Sequence, residues 1–274
     1  MGILKSVFYI MLITSFISLT SATYVNMVEP FNYTIYNGKN VALGKVGPGQ
    51  TFFITINSNA TNPAGVLVER GWNELLITKA PSGWLFANSP LNRALVSIKV
   101  SVPGNAKNGT YNFTLKAVNT GNYSKLGNIT FNASINVTTD VFKLNIYPTN
   151  ITTGPSQPTP IYVSINNTGV SDNPFIISVV GLPAWENNMT VIALHHMTKV
   201  FKYPIYEDEP GVYPVSISVV SSSSPLIHKS ENVEINIRAS LLNDYKALGE
   251  GITVFPIIYA PAYAIMNIIG KFFN

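Results

Sequence analysis

Eleven Asn-x-Ser/Thr triplets run through this chain, beginning at Asn32, Asn59, Asn108, Asn112, Asn122, Asn128, Asn132, Asn136, Asn150, Asn166 and Asn188. In an exported protein the side-chain amide of such an asparagine is the acceptor for an N-linked glycan, a bulky and solubilising surface group. An Asn- and Thr-rich chain also produces the triplet by chance, so each one alone is a weak signal. Other chemistry is sparse. There is no cysteine, and the histidines are His195, His196 and His228. A serine nucleophile needs a base beside it, and no Gly-x-Ser-x-Gly elbow occurs. The run Ser221 to Ser224 before Pro225 reads as a flexible turn. The adjacent His195 and His196, read as strand residues, point to opposite faces and cannot easily share one ion. Glu207, Asp208 and Glu209 follow in sequence, without calcium-loop or zinc-ligand spacing. Acidic residues are few and fall in no motif for glycoside hydrolysis. Gly44 to Gly49 is glycine-rich, yet it precedes a strand and lacks phosphate-loop spacing. The expectation is therefore no enzyme, no cofactor, and no catalytic or metal-ligating residue.

The asparagines gain meaning from the strands that must carry them. Asn128, Asn132 and Asn136 share parity opposite Ile129, Phe131, Ala133, Ile135 and Val137. Period-2 alternation places one set on a core and the other in solvent. Tyr111, Phe113, Leu115 and Ala117 alternate in the same way with Asn112, Thr114 and Lys116. If these two strands pair, one sheet face presents a patch of acceptor asparagines. The same periodicity recurs at Tyr213, Val215, Ile217 and Val219, and again at Val233, Ile235 and Ile237. Residues 24 to 239 hold no long amphipathic helix pattern. Short strands separated by Gly, Pro, Asn and Ser turns predict β-sandwiches.

An internal repeat divides this β region. Gly47-Pro48-Gly49-Gln50 precedes the strand-like Thr51 to Asn57, and Gly154-Pro155-Ser156-Gln157 precedes Ile161 to Asn166. Each half then shows a Pro and Trp pair, Pro81 with Trp84 and Pro183 with Trp185. Each later opens an alternating strand with Gly-x-Tyr, at Gly109 to Tyr111 and Gly211 to Tyr213. The tryptophans and tyrosines of the repeat read as packing residues. Trp72 lies outside the repeat and reads as an exposed aromatic.

Both ends are apolar. Lys5, the run Val7 to Leu19 and the small residues Thr20-Ser21-Ala22 form a signal peptide over 1–22, cut after Ala22 or retained as an anchor. Residues 251–270 contain no charge and Lys271 follows, which suits a bilayer-spanning helix. Pro256 and Pro261 interrupt it. An interfacial helix from about Pro261 to Phe273, or a tail packed on the second domain, remain alternatives. Residues 240–250 contain the short helix-like piece Ser240 to Gly249 that would link body to anchor. The 274 residues leave room for about two domains of ~100–150 residues each. Charged residues make up 11% of the chain, against about a quarter in a typical soluble domain. The basic residues are scattered and form no nucleic-acid footprint.

The run Ser101 to Val118 resembles a strand pair of the Ig-like additional domains found beside bacterial glycosidases, of the α-galactosidase-associated type. Val163 to Trp185 and Glu209 to Ser221 are similar to the same group, and residues 142–239 fit it better than 24–141. The resemblance implies an immunoglobulin-like fold, a spacer or interaction role, and no catalytic residues. Such domains also occur in archaeal envelope proteins that carry a signal sequence and a C-terminal anchor. Together these readings predict an all-β protein of two tandem immunoglobulin-like β-sandwiches, 24–141 and 142–239, with an N-terminal signal peptide and a C-terminal hydrophobic helical segment. The expected function is a non-enzymatic, membrane-tethered envelope protein with a structural, adhesive or assembly role, its bulk outside the cell. The alternative is a carbohydrate-binding or accessory module of a surface complex. Expected partners are the lipid bilayer and envelope proteins or surface glycans, with no nucleic acid.

Overall fold

The computed structural model describes residues 23–62, 66–89, 94–120, 126–182 and 188–238. The signal peptide, linker and anchor expectations, and with them Asn122, Pro183 and Trp185, lie outside the described residues. Among the described residues all regular structure is β-strand, and no helix is long and apolar enough to cross a membrane. The chain separates into two compact units, one drawn from residues up to 44, 51–103 and 110–136, the other from 45–50, 104–109 and 137 onward.

The first sandwich is built from eleven strands: β1 (Tyr24–Glu29), β2 (Tyr33–Tyr36), β3 (Asn40–Val46), β4 (Thr51–Asn57), β5 (Ala60–Thr61), β6 (Leu67–Val68), β7 (Glu74–Lys79), β8 (Leu85–Ala87), β9 (Leu95–Ser101), β10 (Gly109–Val118) and β11 (Ile129–Val137). One sheet has the order β2-β1-β4-β9-β8 and the other β3-β11-β10-β7, while β5 and β6 form a small separate pair. Backbone bonds from Gly38 N to Thr130 O, Asn132 N to Lys39 O and Thr138 N to Val46 O rise along both chains together, so β3 runs parallel to β11. Alternation decides the core: Phe131, Ala133 and Ile135 of β11, and Phe113, Leu115 and Ala117 of β10, are all buried.

The second sandwich contains β12 (Phe142–Tyr147), β13 (Asn150–Thr153), β14 (Thr159–Asn167), β15 (Asn173–Val180), β16 (Met189–Ala193), β17 (Thr198–Ile205), β18 (Gly211–Ser221) and β19 (Ser224–Ile237). Its sheets are β12-β14-β17 and β13-β19-β18-β15-β16, with β13 parallel to β19. Its core joins Phe142, Val163, Phe175, Ile177, Tyr203, Ile217 and Ile235 across the two sheets. In both units the first strand and its continuation divide between the sheets, and the penultimate strand lies between the final strand and a strand from earlier in the chain, β10 between β11 and β7, and β18 between β19 and β15. That is the immunoglobulin-like order, ABE(D) packed on A′GFC. With no disulfide, each sandwich rests on its apolar core.

The repeated Gly-Pro-x-Gln is the turn that feeds each second core strand. The proline fixes the first turn dihedral, and the next residue, Gly49 or Ser156, takes φ of 76° or 58°. Gln50 N and Gln157 N close the turns onto Gly47 O and Gly154 O, at 3.2 and 3.3 Å. Each glutamine side chain then folds back, its Oε1 accepting from Gly47 N at 2.7 Å or Gly154 N at 3.2 Å. The leading glycine is steric: a Cβ on Gly154 would lie 2.4 Å from Gln157 Nε2. Both glutamines are buried, so the motif is an internal brace.

Candidate functional site

Every described acceptor asparagine keeps access to solvent. Asn32, Asn59, Asn108, Asn112, Asn128, Asn132, Asn136, Asn150 and Asn188 are exposed, and Asn166 is half-buried. Strands β10 and β11 are neighbours, so Asn112, Asn132 and Asn136 stand on one outer face, with Asn128 just before β11. The rungs of that face are polar and cross-linked. Thr114 Oγ1 donates to Asn132 Oδ1 at 3.0 Å, and Asn132 Nδ2 donates to Asn40 Oδ1 at 3.1 Å. Asn40, Asn112, Thr114, Asn132 and Lys79 line a shallow groove of about 410 Å³ there. Asn132 thus has its amide nitrogen engaged in the folded sheet, a distinction that sequence spacing does not carry.

Two aromatic expectations change. Trp72 is fully buried, and its indole N–H has no hydrogen-bond partner among the described residues. It precedes β7 and fills the first core, so its position outside the repeat was no sign of exposure. Trp84, by contrast, packs within the repeat as expected, 5.2 Å from the rings of both Tyr111 and Phe113. Tyr213 places its hydroxyl 3.0 Å from Glu209 O, to which it donates, the tyrosine-corner arrangement of immunoglobulin-like domains.

The exposed aromatic pair is one the sequence reading passed over. Tyr147 and Tyr162 face each other across β12 and β14, their rings 5.4 Å apart and 18° from parallel. They are 41% and 37% exposed, and Lys202 of β17 follows in register on the same face. Tyr147 shares its parity with the exposed Lys143 and Asn145, and Tyr147 and Tyr162 both sit at outward positions of alternating strands. That parity was the available signal.

The histidine pair also differs from expectation. His195 and His196 lie in the turn joining β16 to β17, not in a strand, and their rings stand 5.7 Å apart at 80°. Asp172 Oδ1 accepts from His195 N at 2.8 Å and lies 2.6 Å from His195 Nδ1. Burial, aided by His195 beside it, holds the His196 pKa below the usual imidazole value. Among the described residues no three of His, Asp and Glu gather to hold an ion. The serine run is more structured than a flexible turn: Ser221 and Ser224 are buried, and Ser221 Oγ donates to Asn173 Oδ1 at 2.7 Å. The acidic run also serves the fold. Glu207 is buried and its Oε1 accepts from Asp208 N, while hydrogen bonds from Tyr206 and Ser156 hold the Asp208 carboxyl below its usual range.

No family model matches the chain, and no curated protein matches it. Solved structures do. A chimeric titin Z1Z2 matches at 12% identity and a TM-score of 0.36, covering 80% of this chain and all of that one. The D00-D0 domain of intimin matches at 12% and 0.26, covering 77% and 98%. The adhesin InvE of Yersinia pseudotuberculosis matches at 11% and 0.27, covering 79% of this chain and 59% of that one. Scores of this size carry no argument about function. The immunoglobulin-like assignment rests on strand order and register.

Proposed function

We propose that the chain is a non-enzymatic envelope protein, tethered to the membrane through residues 251–270, whose two sandwiches stand outside the cell as a glycan-bearing structural or adhesive body. The observation that carries this reading is the polar outer face of β10 and β11, where acceptor asparagines alternate with a closed apolar core. A glycan on that face costs no packing and blocks tight docking there. The apolar segments at residues 1–22 and 251–270 favour export and tethering, and the resemblance to archaeal envelope domains favours that setting. Cell fractionation tests the placement: full-length protein is expected in the membrane pellet, and recovery in the soluble cytosolic fraction would contradict it. Intact-mass spectrometry of native protein tests the glycans. A mass above that of the processed polypeptide is expected, and equality with it removes them from the account.

The Tyr147–Tyr162 pair favours a second reading, a carbohydrate-binding module. Two near-parallel exposed rings beside Lys202 offer apolar faces and a polar donor on one strand register. Binding on a glycan array that is lost in Tyr162→Ala would favour it, and an empty array would count against it.

A further inference from the structure

The turn between β16 and β17 has a residue where its backbone favours glycine. Met197 N bonds Leu194 O at 3.3 Å, closing a turn over Leu194, His195, His196 and Met197. Its third residue, His196, has φ of 55°, the region that such turns usually fill with Gly or Asn. The consequence is geometric. In an extended strand neighbouring side chains diverge, whereas here the two imidazoles approach to 5.7 Å between ring centres. Asp172 then fixes one of them. Its carboxylate lies 2.6 Å from His195 Nδ1 and accepts that N–H, which leaves the Nε2 lone pair directed away from the carboxylate. A carboxylate behind a histidine is the support found behind metal-ligating imidazoles, where it sets the tautomer and raises ligand basicity. Met197, 54% exposed, supplies a thioether in the next position.

We infer that the His195-His196-Met197 turn is a binding site for copper(I), with His195 Nε2, one His196 ring nitrogen and the Met197 thioether as donors and Asp172 as the positioning residue. The donor set selects the ion. Among the described residues no third His, Asp or Glu joins the pair to hold an ion, and two imidazoles with a neighbouring thioether suit copper(I) over calcium or magnesium. The site stands on the second sandwich alone and is independent of the envelope reading.

The test uses the full chain purified in detergent, titrated anaerobically with copper(I) against a chromogenic copper(I) chelator. One equivalent should be withdrawn from the chelator. His195→Ala and His196→Gly should each weaken binding at least about tenfold, and Asp172→Asn by about 10–100-fold at unchanged stoichiometry. Met197→Leu should lower copper(I) affinity while leaving any weak zinc binding untouched. His196→Gly is the decisive variant, because glycine suits the backbone there and the protein should fold and melt at least as high as the parent without metal. Loss of copper with retained melting temperature supports the site. A fall in the metal-free melting temperature of His196→Gly would assign the histidine a packing role and overturn the proposal. So would copper(I) binding that survives the His195→Ala/His196→Gly pair, or no binding by the parent chain.

Discussion

Gly109 and Gly211 occupy the same place, two residues before the tyrosine that opens the penultimate strand of each sandwich, and they are glycine for different reasons. Gly109 takes φ of 152°, and a Cβ there would meet nothing within 4 Å. It has space and lacks a conformation that other residues adopt. Gly211 has no such φ. Its Cβ would lie 3.0 to 3.1 Å from the Tyr213 ring, which folds back over it to reach Glu209 O. The other shared motif diverges in the opposite direction. Gly49 and Ser156 both hold positive φ, yet only the first sandwich uses glycine, while Ser156 donates from Oγ to Asp208 Oδ1 at 2.7 Å. A duplicated motif thus preserves a backbone path, and each copy satisfies that path with its own local chemistry.

Substitutions can break this comparison, and the largest effect lies where the second sandwich has a buried polar brace. Asn167 is fully buried, donates to Ser171 O and Ala193 O at 2.8 and 2.9 Å, and accepts from Gly169 N at 3.0 Å. Asn167→Ala leaves those groups unpaired and should cost about 2–4 kcal/mol. Calorimetry should show the loss in one unfolding transition, with the first sandwich unaffected. The glycines come next. Gly211→Ala should cost about 1–2 kcal/mol, and most of that cost should vanish in a Tyr213→Ala background. Gly109→Ala should cost about 1 kcal/mol whatever stands at 111, because its penalty is conformational. Equal coupling in the two cycles would show that the distinction is wrong.

Smaller effects refine the picture. Ser156→Gly trades a left-handed serine for a glycine and loses one exposed hydrogen bond, so denaturant unfolding should show a net gain below about 1 kcal/mol. The smallest effect belongs to Asp140, an exposed carboxylate 2.7 Å from Lys229 Nζ. The Lys229 hydrogen bond holds its pKa below the usual 3.8. A lowered carboxyl pKa stabilises the fold above about pH 4, and that contribution disappears as pH falls through the lower folded value. Solvent keeps it under about 1 kcal/mol. Melting temperatures of the parent and Asp140→Asn should differ slightly at pH 7, and the difference should shrink as pH falls below about 4.

Alternation made much of the fold readable. β10, β11, β18 and the end of β19 follow from period-2 patterns, and the strand after Gly-Pro-Gly-Gln runs from Thr51 to Asn57 as read. What stayed hidden involves contacts distant in sequence or turns without punctuation. Trp72 follows no alternating run, so nothing local marked it as core. Asn167 sits inside an acceptor triplet that reads as surface, yet its partners at Ser171 and Ala193 bury it. The His195-His196 turn has no Gly, Pro or Asn, and His196 adopts the left-handed backbone without them. The acidic run around Glu207 was read only for metal-ligand spacing, yet Glu207 is buried and accepts from the backbone N–H groups of Asp208 and Glu209. In each case a polar or aromatic residue was read by type, and its fate was set by its contacts in the folded chain or by one dihedral angle.

The envelope reading stands on the two sandwiches lying on the outer side of the bilayer, and protease treatment of intact cells probes that placement most directly. The account predicts that the sandwich body is digested from outside while a small C-terminal fragment containing 251–270 survives with the membrane. Full-length protein that withstands protease until the cells are lysed, and is then degraded, would contradict it.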